Sequence, residues 1–149
     1  MYYHSSPFNL YIAQSQIPSA GLGVFTRDRI PSGERIDEYK GELCNRDYGG
    51  AYALLLTRSA LIDAANLPRC YMAMINDCSF IPKQYIRKKK RKIDVTPVAY
   101  YSATGIPLEI NCEFQIDEDK KQAFIHAIRD IEPGSELFVS YGADYWRYR

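Results

Sequence analysis

Histidine is scarce in this chain of 149 residues: His4 and His126 are the only two. His126 sits between Ile125 and Ala127 in a run that reads as a strand, so it is taken as structural rather than as a base. Cysteine is nearly as scarce. Cys44, Cys70, Cys78 and Cys112 form no Cys-x-x-Cys pair, which argues against structural zinc, and no metal site is expected. Met1-Tyr2-Tyr3-His4 lacks the basic start and apolar stretch of a secretory signal, so free thiols in a reducing compartment are expected. No apolar run approaches the length of a membrane span, and no membrane partner is expected. There is no Gly-x-x-x-x-Gly-Lys phosphate loop and no Gly-x-Ser-x-Gly nucleophile elbow. Carboxylate pairs fall only in turns. A hydrolase is poorly supported, and an enzyme here would work with tyrosines and backbone.

Tyrosine is what the chain has in excess, with 13 against six phenylalanines and one tryptophan. A ring with a hydroxyl suits wet pockets and interfaces more than a dry core. With 46% hydrophobic and 25% charged residues, the composition is that of one soluble globular domain over residues 1–149. The net charge of +1 hides an asymmetry. Arg87-Lys88-Lys89-Lys90-Arg91-Lys92 is an unbroken basic hexamer, and without it 13 basic residues face 18 acidic ones, a balance of −5. An acidic body favours a cationic partner, and the hexamer favours an anion or a receptor.

Strand patterns dominate: Leu10 to Ala13, Gly23 to Thr26, Arg35 to Tyr39, Ala53 to Thr57, Leu61 to Ala64, Phe114 to Ile116, Ala123 to Ile128 and Leu137 to Tyr141. Asp117 to Lys121 reads as the turn of a hairpin. The least unfavourable helices are short, near Asp47 to Leu55, in competition with a strand, and near Asp144 to Trp146. Arg27 to Glu34 and Arg129 to Glu136 share an Arg-Asp, an Ile, a Pro/Gly turn and a Glu before a strand. Two similar β-turns explain them better than a repeat does. Composition changes after Ser79, and residues 79–110 read as an inserted basic loop with a hairpin of its own.

The motifs fall in a fixed order. Gly21-Leu22-Gly23-Val24-Phe25 comes first, then Ile30-Pro31-Ser32-Gly33-Glu34 and Glu38-Tyr39-Lys40-Gly41-Glu42. Ile62-Asp63-Ala64, Ile75-Asn76-Asp77-Cys78 and Asn111-Cys112-Glu113 follow. The last are Ala127-Ile128-Arg129-Asp130-Ile131-Glu132-Pro133-Gly134-Ser135-Glu136-Leu137 and Ser140-Tyr141-Gly142-Ala143-Asp144-Tyr145-Trp146. From Ile17 to Trp146 the set resembles the SET-domain protein lysine methyltransferases. The first and last blocks are highly specific, and the middle block is degraded.

The resemblance implies a mostly β fold with short helices, small sheets and a C-terminal pseudoknot. It implies S-adenosyl-L-methionine as cofactor and a lysine side chain as methyl acceptor. Gly21, Leu22 and Gly23 match the family's first cofactor motif. Tyr52, eleven residues before Asp63, matches a cofactor-contacting tyrosine. Asn76 and Asp77 match an Asn-His pair whose Asn side chain and following backbone hold the cofactor, with Asp77 replacing the His. The block's closing Pro-Asn is displaced to Ile110-Asn111 by the 79–110 insertion. Tyr141 matches the catalytic tyrosine, and Tyr39 matches one lining the lysine channel. Tyr145 and Trp146 fall where C-terminal aromatics close the channel or pack on adenine. Val139 stands where many members carry a Phe or Tyr that tunes product multiplicity. The cysteine-rich zinc segment that follows many such domains is expected to be absent.

These residue types fit the chemistry independently. Methyl transfer from a sulfonium needs a neutral amine, which an aromatic channel favours over the charged form. Tyrosine hydroxyls orient the amine without a strong base, and carbonyl and phenolic oxygens support the cationic sulfur. The expected partner is a basic protein or peptide, with a histone tail as the leading example. Arg87 to Lys92 reads as a solvated loop, a nuclear localisation signal contacting an import receptor, an arm on nucleic acid, or a target of automethylation. The alternative to an enzyme is a SET-like chromatin or nucleic-acid binding module that has lost its cofactor and acts through the basic loop.

Overall fold

The structure, a computed structural model, describes residues 1–45, 50–80 and 98–141. Its strands are β1 (Tyr2–Tyr3), β2 (Leu10–Gln14), β3 (Leu22–Thr26), β4 (Arg35–Glu38), β5 (Glu42–Asn45), β6 (Ala53–Leu55), β7 (Ala60–Asp63), β8 (Arg69–Cys70), β9 (Ser79–Phe80), β10 (Val98–Ala99), β11 (Cys112–Asp117) and β12 (Gln122–Ala127). One 3₁₀ turn, Tyr71–Met74, is the only helical element among the described residues. None of their helices is long and apolar enough to cross a membrane.

The strands assemble as small sheets around one core. β2 and β3 make an antiparallel ribbon. β5 and β6 flank β7, and β12 lies between β11 and β4. Alternation explains β12: Ala123, Ile125 and Ala127 are buried while Gln122, Phe124 and His126 are half-buried. The polar run at residues 117–121 closes the β11–β12 hairpin, in register from Cys112 opposite Ala127 to Asp117 opposite Gln122. Val24, Ile36, Ile62, Met72, Ile125 and Leu137 meet in the core.

The two similar turns pack against each other. Ile30 and Ile131 exchange backbone hydrogen bonds, both of 2.8 Å. Gly33 N–H donates to Ala127 O and Gly134 N–H donates to Thr26 O. Both glycines hold a positive φ, +88° and +86°, which a side chain would strain. Arg29 adds an exposed ion pair with Asp130 at 3.0 Å.

Three expectations need correction or placing. Leu137 to Tyr141 is not a ladder strand. Only Phe138 makes a bridge there, parallel to Asn76, and Glu136 to Val139 are all buried. The reason is that this segment passes from β3, where Leu137 N–H donates to Val24 O at 2.8 Å, to a place between two further chain segments rather than along one sheet. Val139 N–H donates to Asn76 O at 3.0 Å on one side. On the other, Asn111 and Cys112 N–H donate to Phe138 O at 3.1 and 2.9 Å. The competition near Asp47 to Leu55 resolves to strand β6 where it is described, while residues 46–49, like the helix near Asp144 to Trp146, lie outside the described residues. The 3₁₀ turn went unread in the sequence because no side chain caps it.

Where residues 79–110 are described, their two ends pair. β9 pairs with β10, Tyr100 N–H donates to Cys78 O, and Leu108 N–H donates to Tyr100 O. With these ends side by side, residues 76–78 and 111–112 lie on either side of Phe138. Arg87 to Lys92 lie outside the described residues.

Candidate functional site

Strand β3 begins one residue after Gly21 and carries Leu22 outward and Gly23 inward. A Cβ at Gly23 would stand 3.0 Å from Glu136 Cδ and 3.2 Å from Asn76 Nδ2, so the close approach needs glycine. Gly21 has φ +75° and open space where a side chain would start. Asn76 Nδ2 donates to Leu22 O at 3.0 Å and lies 3.4 Å from Glu136 Oε1. The predicted cofactor residues Gly21, Leu22, Gly23 and Asn76 are therefore brought together.

The hub of that contact is Glu136, 1% exposed, which sequence reasoning missed as a site residue. Its Oε1 accepts from Ser15 Oγ at 2.7 Å, and its Oε2 accepts from Gln16 N–H at 2.9 Å. Ser15 and Gln16 were missed as well. The only signal was the turn shared with Glu34, and Glu34 is exposed.

Asp77 was read as a backbone contact, and its side chain does more. It is 3% exposed and accepts from Ser79 and from Tyr141 N–H. Tyr141 is half-buried against the core, and its hydroxyl donates to Ile75 O. Tyr39 is 6% exposed and donates to Tyr52 O at 2.6 Å. Tyr52 O also accepts from Ala64 N–H at 3.1 Å. The Arg69 guanidinium lies 3.8 Å over the Tyr52 ring, fixing its plane. Burial first, then Cys70 and Asp63 nearby, raises the Tyr39 phenol well above its ordinary range. Tyr39, Tyr52 and Tyr141 all pack on the main core cluster. Tyr145 and Trp146 lie outside the described residues.

The four cysteines are free thiols. Burial, with Asp77 adding to it, pushes Cys78 up to about 12, and burial pushes Cys112 up to about 12. Among the described residues no group of three or more His, Cys, Asp or Glu is placed to hold a metal. His126 Nε2 is buried without a hydrogen-bond partner among them.

Among the described residues the arrangement offers oxygens and no strong base. Both tyrosine hydroxyls give their proton to a carbonyl, and a phenolic oxygen is also a hydrogen-bond acceptor of the kind an amine needs.

No curated protein matches the chain. Among solved structures it is similar to KRYPTONITE in complex with mCHG DNA and SAH, with 20% identity, a TM-score of 0.63, and coverage of 92% of this chain and 24% of that one. A second structure of KRYPTONITE, with mCHH DNA, an H3(1-15) peptide and SAH, matches with the same values. ctPRC2 in an autoinhibited conformation bound to S-adenosylmethionine matches at 21% identity and a TM-score of 0.59, over 91% of this chain and 15% of that one. The chain thus spans a quarter or less of each of these proteins and shares their fold. The family model described as SET domain matches residues 21–142, most of the sequence, from the glycine motif at Gly21 to Tyr141-Gly142. The chain belongs to the SET-domain family.

Proposed function

We propose that the chain is an S-adenosyl-L-methionine-dependent protein-lysine methyltransferase. The observation that carries this reading is the convergence on residues 136–141. That segment touches the glycine motif through Glu136, the Asn76-Asp77 block through Val139 and Tyr141, and Asn111 through Phe138. The fit to the cofactor is supported by open space where a Gly21 side chain would start, by exposed Leu22, and by phenolic and carbonyl oxygens at Tyr141 and Ile75 of the kind a sulfonium favours.

When bound, S-adenosyl-L-methionine supplies an electrophilic methyl group. The chain's own residues do the rest. Asn76 holds the Leu22 carbonyl and so sets the edge of the cofactor cleft, with the Asp77 backbone beside it. Tyr141 accepts a hydrogen bond from the lysine amine and turns its lone pair toward the methyl. Tyr39 lines the lysine channel. Its raised pKa keeps it a neutral phenol, so it offers no charge to hold the amine as ammonium. The resemblance assigns Tyr145 to the lysine channel and Trp146 to the cofactor.

The substrate is a basic protein segment, with the histone H3 tail as the first to test. The KRYPTONITE structure with an H3(1-15) peptide supports that choice, as does the acidic balance of the body. In this reading Arg87 to Lys92 serve nuclear import or docking on nucleic acid, and a chromatin setting is supported by that basic run and by the family. The 79–110 segment is an insertion within a single domain.

Calorimetric titration with S-adenosyl-L-methionine tests the pocket, and transfer of labelled methyl to H3(1-15) peptide and core histones tests the reaction. Wild type and Tyr141→Phe are expected to bind cofactor, Asn76→Ala to lose at least ten-fold in affinity, and Tyr141→Phe to lose about 10²-fold in kcat. A folded wild type that binds no cofactor overturns the reading and leaves a SET-like binding module.

A further inference from the structure

Asp77 stands where the resembled block carries His, and its carboxylate faces backbone rather than solvent. Oδ1 accepts from Ser79 N–H at 2.9 Å and from Ser79 Oγ at 2.7 Å. Oδ2 accepts from Tyr141 N–H at 2.8 Å. Ser79 opens β9, the first strand of the insertion's stem. Tyr141 is tied a second time through its hydroxyl to Ile75 O, and Val139 N–H is held by Asn76 O. Three consecutive residues, Ile75 to Asp77, thus hold the segment from Val139 to Tyr141.

The residue type matters. Donors arrive at both oxygens of one group, so two acceptor atoms are needed. Aspartate has two. Asparagine has one acceptor and one donor, and its NH₂ would face an N–H on one side. A neutral imidazole also has a single acceptor nitrogen. The carboxylate is buried, so an unmet donor there is costly and the geometry is tightly held.

We infer that Asp77 is a positioning residue that fixes the Tyr141 backbone from the base of the insertion. The kinetic consequence rests on the methyltransferase reading, whereas the tether itself does not. In this chain the link that joins β9 to Tyr141 compensates for the interruption of the Asn block. The insertion stem and the reacting tyrosine then share one side chain.

The test compares wild type, Asp77→Asn and Ser79→Ala. Amide hydrogen exchange reads the tether, calorimetry with S-adenosyl-L-methionine reads the cleft, and methyl transfer to H3(1-15) peptide reads the reaction. Asp77→Asn is expected to speed exchange at Tyr141 by about ten-fold or more and to lower kcat by a similar factor. Its cofactor affinity should stay within about three-fold of wild type. Ser79→Ala removes one donor and shifts exchange at Tyr141 the same way, by about three-fold. It keeps the test decisive if Asp77→Asn fails to fold. Unchanged Tyr141 exchange in the folded variants overturns the inference. So does a loss confined to cofactor affinity, which would make Asp77 part of the cleft alone. If wild type binds cofactor and methylates no lysine, the proposed function fails while exchange at Tyr141 still decides the tether.

Discussion

Replacing Gly23 by alanine adds one methyl group at the most crowded point of the site. Gly23 does not need a positive φ, so the cost is steric rather than conformational. The new Cβ would lie 3.0 Å from Glu136 Cδ, 3.2 Å from Asn76 Nδ2, and inside the van der Waals envelope of Glu136 Oε1. The carboxylate must retreat by about an ångström to restore normal contact. Glu136 is buried and held by Ser15 Oγ at 2.7 Å and Gln16 N–H at 2.9 Å, so retreat stretches those bonds beyond useful length. A hydrogen bond to a charged group contributes about 1.5–3 kcal/mol, and loss of one or two gives a destabilisation of about 3 kcal/mol. In a domain of this size that lowers Tm by roughly 6–12 °C. Cofactor affinity should fall too, because Asn76 and Leu22 move with the carboxylate. Shortening the side chain by one carbon, Glu136→Asp, makes room for the methyl. The double variant should therefore be less damaged than the sum of the singles by about 1 kcal/mol or more. Thermal unfolding of the four proteins checks this. A Gly23→Ala protein melting within about 2 °C of wild type would refute the steric reasoning.

Tyr39→Phe leaves Tyr52 O without its phenolic donor and should cost about 1–2 kcal/mol in urea unfolding. In the proposed channel it should also raise KM for the lysine peptide, and an unchanged KM would remove Tyr39 from the channel wall. Cys78 and Cys112 are held at about 12 by burial, whereas in the unfolded chain they ionise near their ordinary value of 9.0. Above pH 9 the unfolded state therefore binds fewer protons than the folded one, and stability falls as pH rises toward about 12. The slope is up to about 1.4 kcal/mol per pH unit for each thiol. Urea midpoints between pH 8 and pH 10.5 should decline accordingly and decline less in Cys112→Ala. A flat profile contradicts the burial argument.

The sequence was legible where one physical rule acted locally. β3, β4, β7 and β12 follow alternation or short apolar runs, and the Asp117 to Lys121 turn follows from its polarity. Such signals depend on neighbours in the chain. Residues 136–141 depend instead on segments far away, at Ser15 to Phe25, at Asn76 and Asp77 and at Asn111, and four consecutive buried positions carry no alternation to read. The same holds for the two matched turns. Their likeness was visible, but Glu34 is exposed and Glu136 is buried, and nothing in either turn distinguishes them. The difference is made by Ser15 and Gln16, which reach only Glu136. Motif order brought Gly21 to Gly23, Asn76 and Tyr141 to notice because each is a residue type chosen by what it must touch. The partners that hold them were hidden because a carboxylate in a turn is ordinary until its donors arrive. Asp77 is the sharpest case. Read alone it is a lost histidine, whereas between Ser79 and Tyr141 it is a two-sided acceptor in a place where an imidazole could serve only one side.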